Sequence, residues 1–232
     1  MKIFAHISWF FATIIIFISL ALVVFIFYIV PRPMAPKISA WIIRILIFYR
    51  VEIEGKEDSD AQMFLLNHQS DLDIGIMETI TKKDLAWVAK KELFDIPFFG
   101  LALKLPEDIP VERESKTSLI KLLKDVKDRL DKGRTIVMFP EGTRSSKEKM
   151  LPFKNGAKMV ADKYQLRVQP IVLMQTAKYY NIKKFYYKPG KIKVIYLDSF
   201  VADKRDKEWL KNLRVKMQEV YNNELSNNPN HR

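Results

Sequence analysis

The chain of 232 residues contains no cysteine and only three histidines. The absence of cysteine excludes a disulfide framework, a cysteine-based metal site and a cysteine nucleophile, and it is compatible with a reducing cytosol. The histidines stand at positions 6, 68 and 231, too far apart along the chain to suggest a metal cluster. Also absent are the Gly-x-Ser-x-Gly elbow of serine hydrolases, His-Glu-x-x-His, the Walker A loop and the Gly-x-Gly-x-x-Gly dinucleotide motif.

Acidic residues are missing from the first 50 positions, which contain five basic ones: Lys2, Arg32, Lys37, Arg44 and Arg50. Over the whole chain, 39 Lys and Arg against 27 Asp and Glu give a net charge of +12. Such a charge favours anionic partners: nucleic acid, an anionic membrane surface or phosphorylated substrates. Because basic residues beside apolar sequence are typical of contact with lipid head groups, an anionic membrane surface is a predicted partner.

The N-terminal region reads as a membrane anchor. Residues 3–30 are almost entirely apolar, and a helix of that length measures about 42 Å, more than the roughly 30 Å of a hydrocarbon core. The run is too long for the apolar part of a signal peptide. A second apolar stretch, 38–49, is interrupted by Arg44 and is predicted to lie at the interface. Residues 1–50 are therefore expected to form either one span with a surface helix or a hairpin in one leaflet.

The rest of the chain, residues 51–225, predicts an α/β domain with a mostly parallel central sheet flanked by helices, because short apolar strands alternate with amphipathic helices. The polar stretch 51–61 is expected to be turn-like after its first two alternations and to mark the domain boundary, and the tail 226–232 to be disordered. Strands are predicted at 62–66, 85–89, 135–139, 168–174 and 191–197, with an extended segment at 106–112. Helices are predicted at 71–80, 115–132, 155–164 (capped by Asn155) and 203–225.

The loop 67–73 (NHQSDLD) follows a predicted strand and contains His68, the only histidine of the predicted soluble domain. Asp73 lies five residues further on, and a turn can bring its carboxylate to one ring nitrogen. The carboxylate would then fix the tautomer and leave the other nitrogen as a general base. Asp71 is a competing carboxylate that could instead cap the following helix.

The loop 139–145 (FPEGTRS) also follows a predicted strand, at the edge where open α/β sheets bind ligands. Gly142 lets the backbone approach a ligand, and Arg144 offers a forked cation suited to phosphate. Glu141 should be partly buried, so it needs a partner, either a substrate hydroxyl or a nearby cation. Together the two loops predict a base-assisted reaction on a phosphorylated substrate. Lys90 and Arg113 are further cations near predicted strand ends.

Four blocks of sequence, in this order, resemble those of the glycerolipid acyltransferase family: 67–73, 109–113 (IPVER), 139–145 and 168–172 (VQPIV). The resemblance covers roughly residues 60–175, about half of the chain, and is greatest to the bacterial 1-acylglycerol-3-phosphate acyltransferases. One departure is Glu112, where members of the family usually have aspartate.

The resemblance implies a glycerol-3-phosphate acyltransferase-like fold, preceded by an N-terminal two-helix membrane motif on the cytoplasmic face of the inner membrane. It implies transfer of a fatty acyl group from acyl-CoA or acyl carrier protein to the 2-hydroxyl of lysophosphatidic acid, which gives phosphatidic acid for phospholipid biosynthesis. His68 would be the general base and Asp73 would orient it, with no metal or redox cofactor. The substrate-binding residues that it implies are Lys90, Arg113, Glu141, Gly142, Thr143 and Arg144.

Two alternatives remain open at the level of the sequence. One keeps the fold and changes the acceptor to another lysophospholipid or to glycerol 3-phosphate. The other is a membrane-tethered basic binding protein, which the net charge of +12 favours. A nucleic-acid partner is not predicted, because the basic residues are spread along the chain and no nucleic-acid-binding motif accompanies them.

Overall fold

The computed structural model describes residues 7, 10, 11, 14, 18, 22, 24–27, 29–112, 116–145, 147–181 and 184–227. Most of the predicted membrane segment 3–30, and residues 228–232 of the predicted tail, lie outside these residues. Residues 226 and 227, which were predicted to belong to the disordered tail, are helical. Within the described part of the chain, no helix is both long enough and apolar enough to cross a bilayer. The anchoring arrangement of residues 1–50 therefore stays a prediction.

Helices and strands alternate along the described chain. The helices are α1 (Met34–Leu46), α2 (Leu72–Ile80), α3 (Lys91–Phe94), α4 (Phe99–Lys104), α5 (Lys116–Asp131), α6 (Asn155–Tyr164), α7 (Thr176–Tyr179) and α8 (Trp209–Asn227). The strands are β1 (Tyr49–Glu54), β2 (Met63–Leu66), β3 (Leu85–Lys90), β4 (Ile109–Val111), β5 (Thr135–Met138), β6 (Arg167–Leu173), β7 (Tyr180–Asn181), β8 (Tyr186–Tyr187), β9 (Gly190–Tyr196) and β10 (Phe200–Val201).

The central sheet has the strand order β1-β9-β6-β2-β5-β3-β4, with β10 paired to β6. The strands β6, β2, β5, β3 and β4 are parallel, whereas β9 runs antiparallel to β6 and pairs in parallel with β1. In the middle, Met63 of β2 lies opposite Ile136 of β5 and Val168 of β6. Every residue of β2 and β5 is buried, as expected for parallel strands covered on both faces. The predicted mostly parallel sheet is confirmed.

Helices cover both faces of this sheet. On one face, Leu122 of α5, Val160 of α6 and Met217 of α8 belong to one buried apolar cluster. On the other face, Ile76 of α2 belongs to a second cluster, against which Ile43 of α1 packs. Because both faces are covered, the loops at the strand ends are the part of the sheet that is left to bind ligands.

A network of charged residues lies at the amino edge of the parallel strands. Arg134 precedes β5 and is buried, and its Nε lies 3.2 Å from Oδ1 of Asp84. The second oxygen of Asp84 lies 3.2 Å from Nη1 of Arg32, at the end of the N-terminal segment. Asp108 accepts the backbone N–H of Trp87 at 3.0 Å, and burial raises the pKa of this carboxyl to about 8. The network thus ties the N-terminal segment to the sheet, at the edge opposite the two motif loops.

Three further details differ from the sequence-based expectations. No strand was predicted at 49–54, where β1 lies; the stretch 51–61 was expected to be turn-like after its first two alternations, and β1 ends with those alternations at Glu54. The alternation of apolar and polar residues in β1 is short because β1 is a half-buried outer strand. Its partner β9 lies far along the chain, so the local sequence does not indicate the pairing. Asn155 was expected to cap α6, whereas it is the first helical residue and Lys154 precedes it without a side-chain cap.

The last helix starts later than its apolar pattern predicts, at Trp209 rather than near residue 203. Asp203 and Asp206 instead accept the backbone N–H groups of Arg205 and Glu208, each at 2.9 Å. Aspartate side chains that bond to nearby backbone in this way stabilise turns in preference to a helix.

Candidate active site

Two loops meet at the carboxyl edge of the neighbouring strands β2 and β5. Loop 67–73 follows β2 and loop 139–151 follows β5. The backbone N–H of Ser145 donates to the carbonyl oxygen of His68 at 2.9 Å, and the guanidinium of Arg144 forms an ion pair with Asp71. The two motif loops are therefore in direct contact, as their positions after adjacent strands lead one to expect.

His68 and Asp73 contact each other within the first loop. Nδ1 of His68 lies 2.7 Å from Oδ2 of Asp73, whose side chain is 0% exposed. Because an ionised carboxylate can only accept hydrogen bonds, Nδ1 has to hold the proton of the neutral ring, and Nε2 is left as an acceptor. This is the contact that the spacing of five residues predicted.

The carboxylate of Asp73 receives three further hydrogen bonds. The backbone N–H groups of Gln69 and Ser70 donate to Oδ2 at 2.8 and 3.0 Å. The hydroxyl of Thr176, at the start of α7, donates to Oδ1. A buried charge needs such partners, and these donors hold the carboxylate in its orientation toward the imidazole.

Glu141 joins the two loops through the backbone. Its Oε1 accepts the N–H of His68 at 2.9 Å, and its Oε2 accepts the N–H of Leu151 at 2.7 Å. The residue is 2% exposed, and burial raises the pKa of its carboxyl, against the opposing effect of the two N–H groups. Its burial agrees with expectation, but its partners are backbone amides, where a substrate hydroxyl or a cation was expected. A backbone partner from another loop leaves no pattern in the sequence.

Aromatic rings cover one face of the His68 imidazole. The ring of Phe139 stacks on it with centroids 3.8 Å apart and an angle of 13° between the planes. Trp87 of β3 stacks on Phe139 in turn, at 5.5 Å and 24°, and its Nε1–H donates to Glu78 at 2.8 Å. The stack limits tilting of the imidazole, so a reacting group reaches the ring through its edge or its other face.

The glycine and the arginine of the second loop lie at its outer part. Gly142 has a φ of +70°, a conformation that glycine adopts at little cost. Thr143 and Arg144 are exposed. The pair between Arg144 and Asp71 is about two-fifths exposed on each side, and surface pairs of this kind contribute only about 0–1 kcal/mol. A phosphate can therefore replace Asp71 as the partner of this guanidinium at little cost.

The remaining predicted residues take other positions. Asp71 precedes α2 without a side-chain cap, whereas Oγ of Ser70 accepts the N–H of Leu72 at 3.3 Å. Lys90 ends β3 on the same edge, but β5 separates β3 from β2, and its Nζ lies 2.9 Å from Oε1 of Glu92. Arg113 lies outside the described residues. Over the described part of the chain, no group of three or more potential metal ligands occurs.

Two residues of the site, Asn67 and Thr176, were not predicted from the sequence. Asn67 is buried and pairs with the backbone of Leu173: its Nδ2 donates to the carbonyl at 2.9 Å and its Oδ1 accepts the N–H at 2.8 Å. This fixes the end of β2 to the end of β6. Thr176, which contacts Asp73, follows β6 by three residues. Its position after the fourth block, at the same sheet edge, was the available signal.

Comparisons with known proteins agree with this architecture. The family model described as Acyltransferase matches residues 50–174. A 1-acyl-sn-glycerol-3-phosphate acyltransferase from Helicobacter pylori is 42% identical over 168 residues, which cover 72% of this chain and 71% of that protein. The chloroplastic 1-acyl-sn-glycerol-3-phosphate acyltransferase LPAT1 from Arabidopsis thaliana is 38% identical over 140 residues, 59% of this chain and 39% of that one.

A solved structure shares the fold. The crystal structure of the 1-acyl-sn-glycerophosphate (LPA) acyltransferase, PlsC, from Thermotoga maritima matches with a TM-score of 0.70, 22% identity and coverage of 95% of both chains. Its likeness confirms the fold class that the four sequence blocks implied. With the family match over more than half of its length, this chain belongs to the acyltransferase family.

Proposed function

We propose that this acyltransferase has 1-acyl-sn-glycerol-3-phosphate acyltransferase activity and transfers a fatty acyl group from acyl-CoA or acyl carrier protein to the 2-hydroxyl of lysophosphatidic acid. The product is phosphatidic acid, an intermediate of phospholipid biosynthesis. The observation that carries the proposal is the 2.7 Å contact between Nδ1 of His68 and Oδ2 of Asp73, which leaves Nε2 as a base. The activity in the names of the relatives from Helicobacter pylori and Arabidopsis thaliana supports this choice of acceptor.

In the proposed reaction, Nε2 of His68 takes the proton of the acceptor hydroxyl as its oxygen attacks the thioester carbonyl. Asp73 stabilises the resulting imidazolium, as the carboxylate of a catalytic triad does. The carbon–sulfur bond of the tetrahedral intermediate then breaks, and the imidazolium returns the proton to the leaving thiolate. The products are an ester and a free thiol, so no acyl-enzyme and no cofactor beyond the acyl donor enter the scheme. General-base assistance of this kind contributes about 10²–10⁴ in rate.

The acceptor phosphate is assigned to Arg144, which exchanges Asp71 for the phosphate on binding. A guanidinium can bind two phosphate oxygens at once, and Gly142 lets the loop backbone come close to the head group. Thr143 adjoins both residues and is exposed. Lys90, at the end of β3, is proposed to contribute positive charge on the same edge, and Arg113 is proposed as a further substrate-binding residue because the family resemblance implies it.

We infer a membrane location, which is supported by the lipid acceptor and by exposed apolar residues of the N-terminal region. Trp41 and Ile45 of α1 are 56% and 51% exposed, and Phe48 just beyond it is 75% exposed, whereas Ala35 and Ser39 are buried. Large exposed apolar side chains on one face are typical of interfacial helices. We place the protein on the cytoplasmic face of the inner membrane, against anionic lipid, with access to a cytosolic donor.

The proposal is tested by measuring acyl transfer in membranes that contain the protein, with lysophosphatidic acid, other lysophospholipids and glycerol 3-phosphate as acceptors and with both donors. Conversion of lysophosphatidic acid to phosphatidic acid is expected, together with its loss in His68→Ala. His231→Ala, which changes a histidine near the end of the chain, is the matched control. Full activity of His68→Ala would contradict the role of His68 as general base. Preference for another acceptor would show that this acceptor, and not lysophosphatidic acid, is the substrate.

The role of Arg144 is tested separately. Arg144→Ala is expected to raise the KM of the acceptor at least about tenfold, the equivalent of 1.4 kcal/mol, and to leave the KM of the donor unchanged. Arg205→Ala is the control, because Arg205 also forms a surface pair with an aspartate, Asp203, at 2.8 Å near the start of α8. Equal effects of the two substitutions would assign the change to net charge and not to phosphate binding.

A further inference from the structure

Thr176, which contacts Asp73 in the candidate site, lies outside the four sequence blocks and just outside the family match at 50–174. The hydroxyl of Thr176 donates a hydrogen bond to Oδ1 of Asp73, and both residues are 0% exposed. The two residues are 103 positions apart in the sequence. We propose that Thr176 is a positioning residue for the dyad, which fixes the Asp73 carboxylate so that its other oxygen faces Nδ1 of His68. The proposal rests on the function proposed above.

The distribution of donors over the two carboxylate oxygens supports this role. Oδ2 of Asp73 receives the His68 ring and the backbone N–H groups of Gln69 and Ser70. Oδ1 receives the hydroxyl of Thr176. The terminal torsion of an aspartate is broad and two-fold, so donors on one oxygen alone hold it weakly. A donor on the second oxygen fixes the plane of the carboxylate, and with it the direction in which the imidazole is held.

Thr176 is itself held in place by the segment around it. This segment, formed by α7 and β7, contacts the catalytic loop a second time, because the hydroxyl of Ser70 donates to the carbonyl oxygen of Tyr180 at 2.7 Å. The preceding residue, Gln175, has a φ of +50°, which turns the chain sharply after β6. Threonine is branched at Cβ and has few rotamers, so a fixed backbone also fixes its hydroxyl.

The first experiment compares turnover in Thr176→Val and Thr176→Ser. Valine keeps the shape without the hydroxyl, so kcat is expected to fall about 10- to 100-fold, the range that a lost hydrogen bond to a charged group gives, while both KM values change little. Serine retains the hydroxyl and is expected to restore most of the turnover. Thr135→Val is the matched control, because Thr135 is also buried but donates to Ala61 at the opposite edge of the sheet.

The second experiment determines the tautomer of His68 directly. The chain has three histidines, so ¹⁵N-labelled histidine gives few signals, and His68→Ala assigns those of His68. The wild type is expected to show the tautomer with the proton on Nδ1, and Thr176→Val a mixture with the other tautomer. Circular dichroism establishes that each variant is folded; if the valine variant is not, Thr176→Ala takes its place.

The outcomes separate this proposal from the function itself. Wild-type kcat and an unchanged tautomer in Thr176→Val would overturn the positioning role, as would equal losses of turnover in the valine and serine variants. If the wild type transfers acyl groups to no acceptor, the proposed function fails. The tautomer of His68 in the same variants then still decides whether Thr176 orients the dyad.

Discussion

Replacing Glu141 by glutamine tests whether this side chain joins the two loops or binds the substrate. Its two oxygens accept the backbone N–H groups of His68 and Leu151, at 2.9 and 2.7 Å. Glutamine has one acceptor oxygen and one NH₂ group, so one of the two N–H groups would face another donor and lose its hydrogen bond. The residue is 2% exposed, so water does not replace the lost partner.

The structure sets the size of the expected effect. A buried polar group that loses its partner costs about 1–3 kcal/mol. Each kcal/mol lowers the Tm of a chain of this length by about 2–4 °C, so the Tm of Glu141→Gln is expected to fall by about 2–12 °C. Because the backbone of His68 is one of the two groups released, kcat should fall as well, while the KM of the acceptor changes little.

Thermal unfolding in detergent and acyl-transfer kinetics measure the two effects. Glu78→Gln is the matched control, because Glu78 is also buried but lies on α2, where a glutamine oxygen can still accept the Nε1–H of Trp87 and only the 3.7 Å ion pair with Lys37 is lost. This control is expected to have the smaller change in Tm and a kcat close to that of the wild type. A wild-type Tm in Glu141→Gln, combined with a rise in acceptor KM of about tenfold or more, would refute the reasoning and assign Glu141 to substrate binding.

Two further predictions concern Asp108 and Asp71. Burial raises the pKa of Asp108 from 3.8 to about 8. Between these two pH values the unfolded chain releases the proton of Asp108 and the folded chain keeps it, so the free energy of unfolding falls as the pH rises. The fall from pH 5 to pH 8 is at most about 4 kcal/mol. Asp108→Asn should remove this part of the decline in Tm over that range, and an unchanged decline would contradict the assignment. Asp71→Asn releases Arg144 and should lower the acceptor KM by about two- to fivefold, in line with the strength of a surface pair, with little change in Tm. A higher KM would mean that Asp71 orients the guanidinium.

The parts of the fold that the sequence predicts are those with a local signal. β2 and β5 are continuous apolar runs, and their burial on both faces produces that pattern. β1 was missed because it is an outer strand that depends on β9, and no local pattern identifies a partner so far along the chain. The strands β7, β8 and β10 have two residues each, too short for any periodicity.

The contacts of the candidate site also differ in whether the sequence could predict them. The contact between His68 and Asp73 spans five residues, so a local turn is enough to form it and the sequence could predict it. The contacts of Thr176 with Asp73 and of Tyr221 with Gln69 span 103 and 152 residues, and only the folded chain brings them together. Burial of Glu141 could be predicted from the apolar residues before it, but its backbone partners could not.

The position of β2 between β5 and β6 has a consequence for the time at which the enzyme becomes active during its own synthesis. The strand and the loop 67–73 are made early, yet both neighbouring strands come later in the chain. At about 5–20 residues per second, the ribosome takes about 5–20 s to travel from Asp73 to Thr176, and it then still has to add the C-terminal helix that contains Tyr221. A nascent chain therefore exposes an incomplete sheet centre until β6 has been made. The contacts of the loop 67–73 can be complete only after Thr176 and the helix that contains Tyr221 have been made.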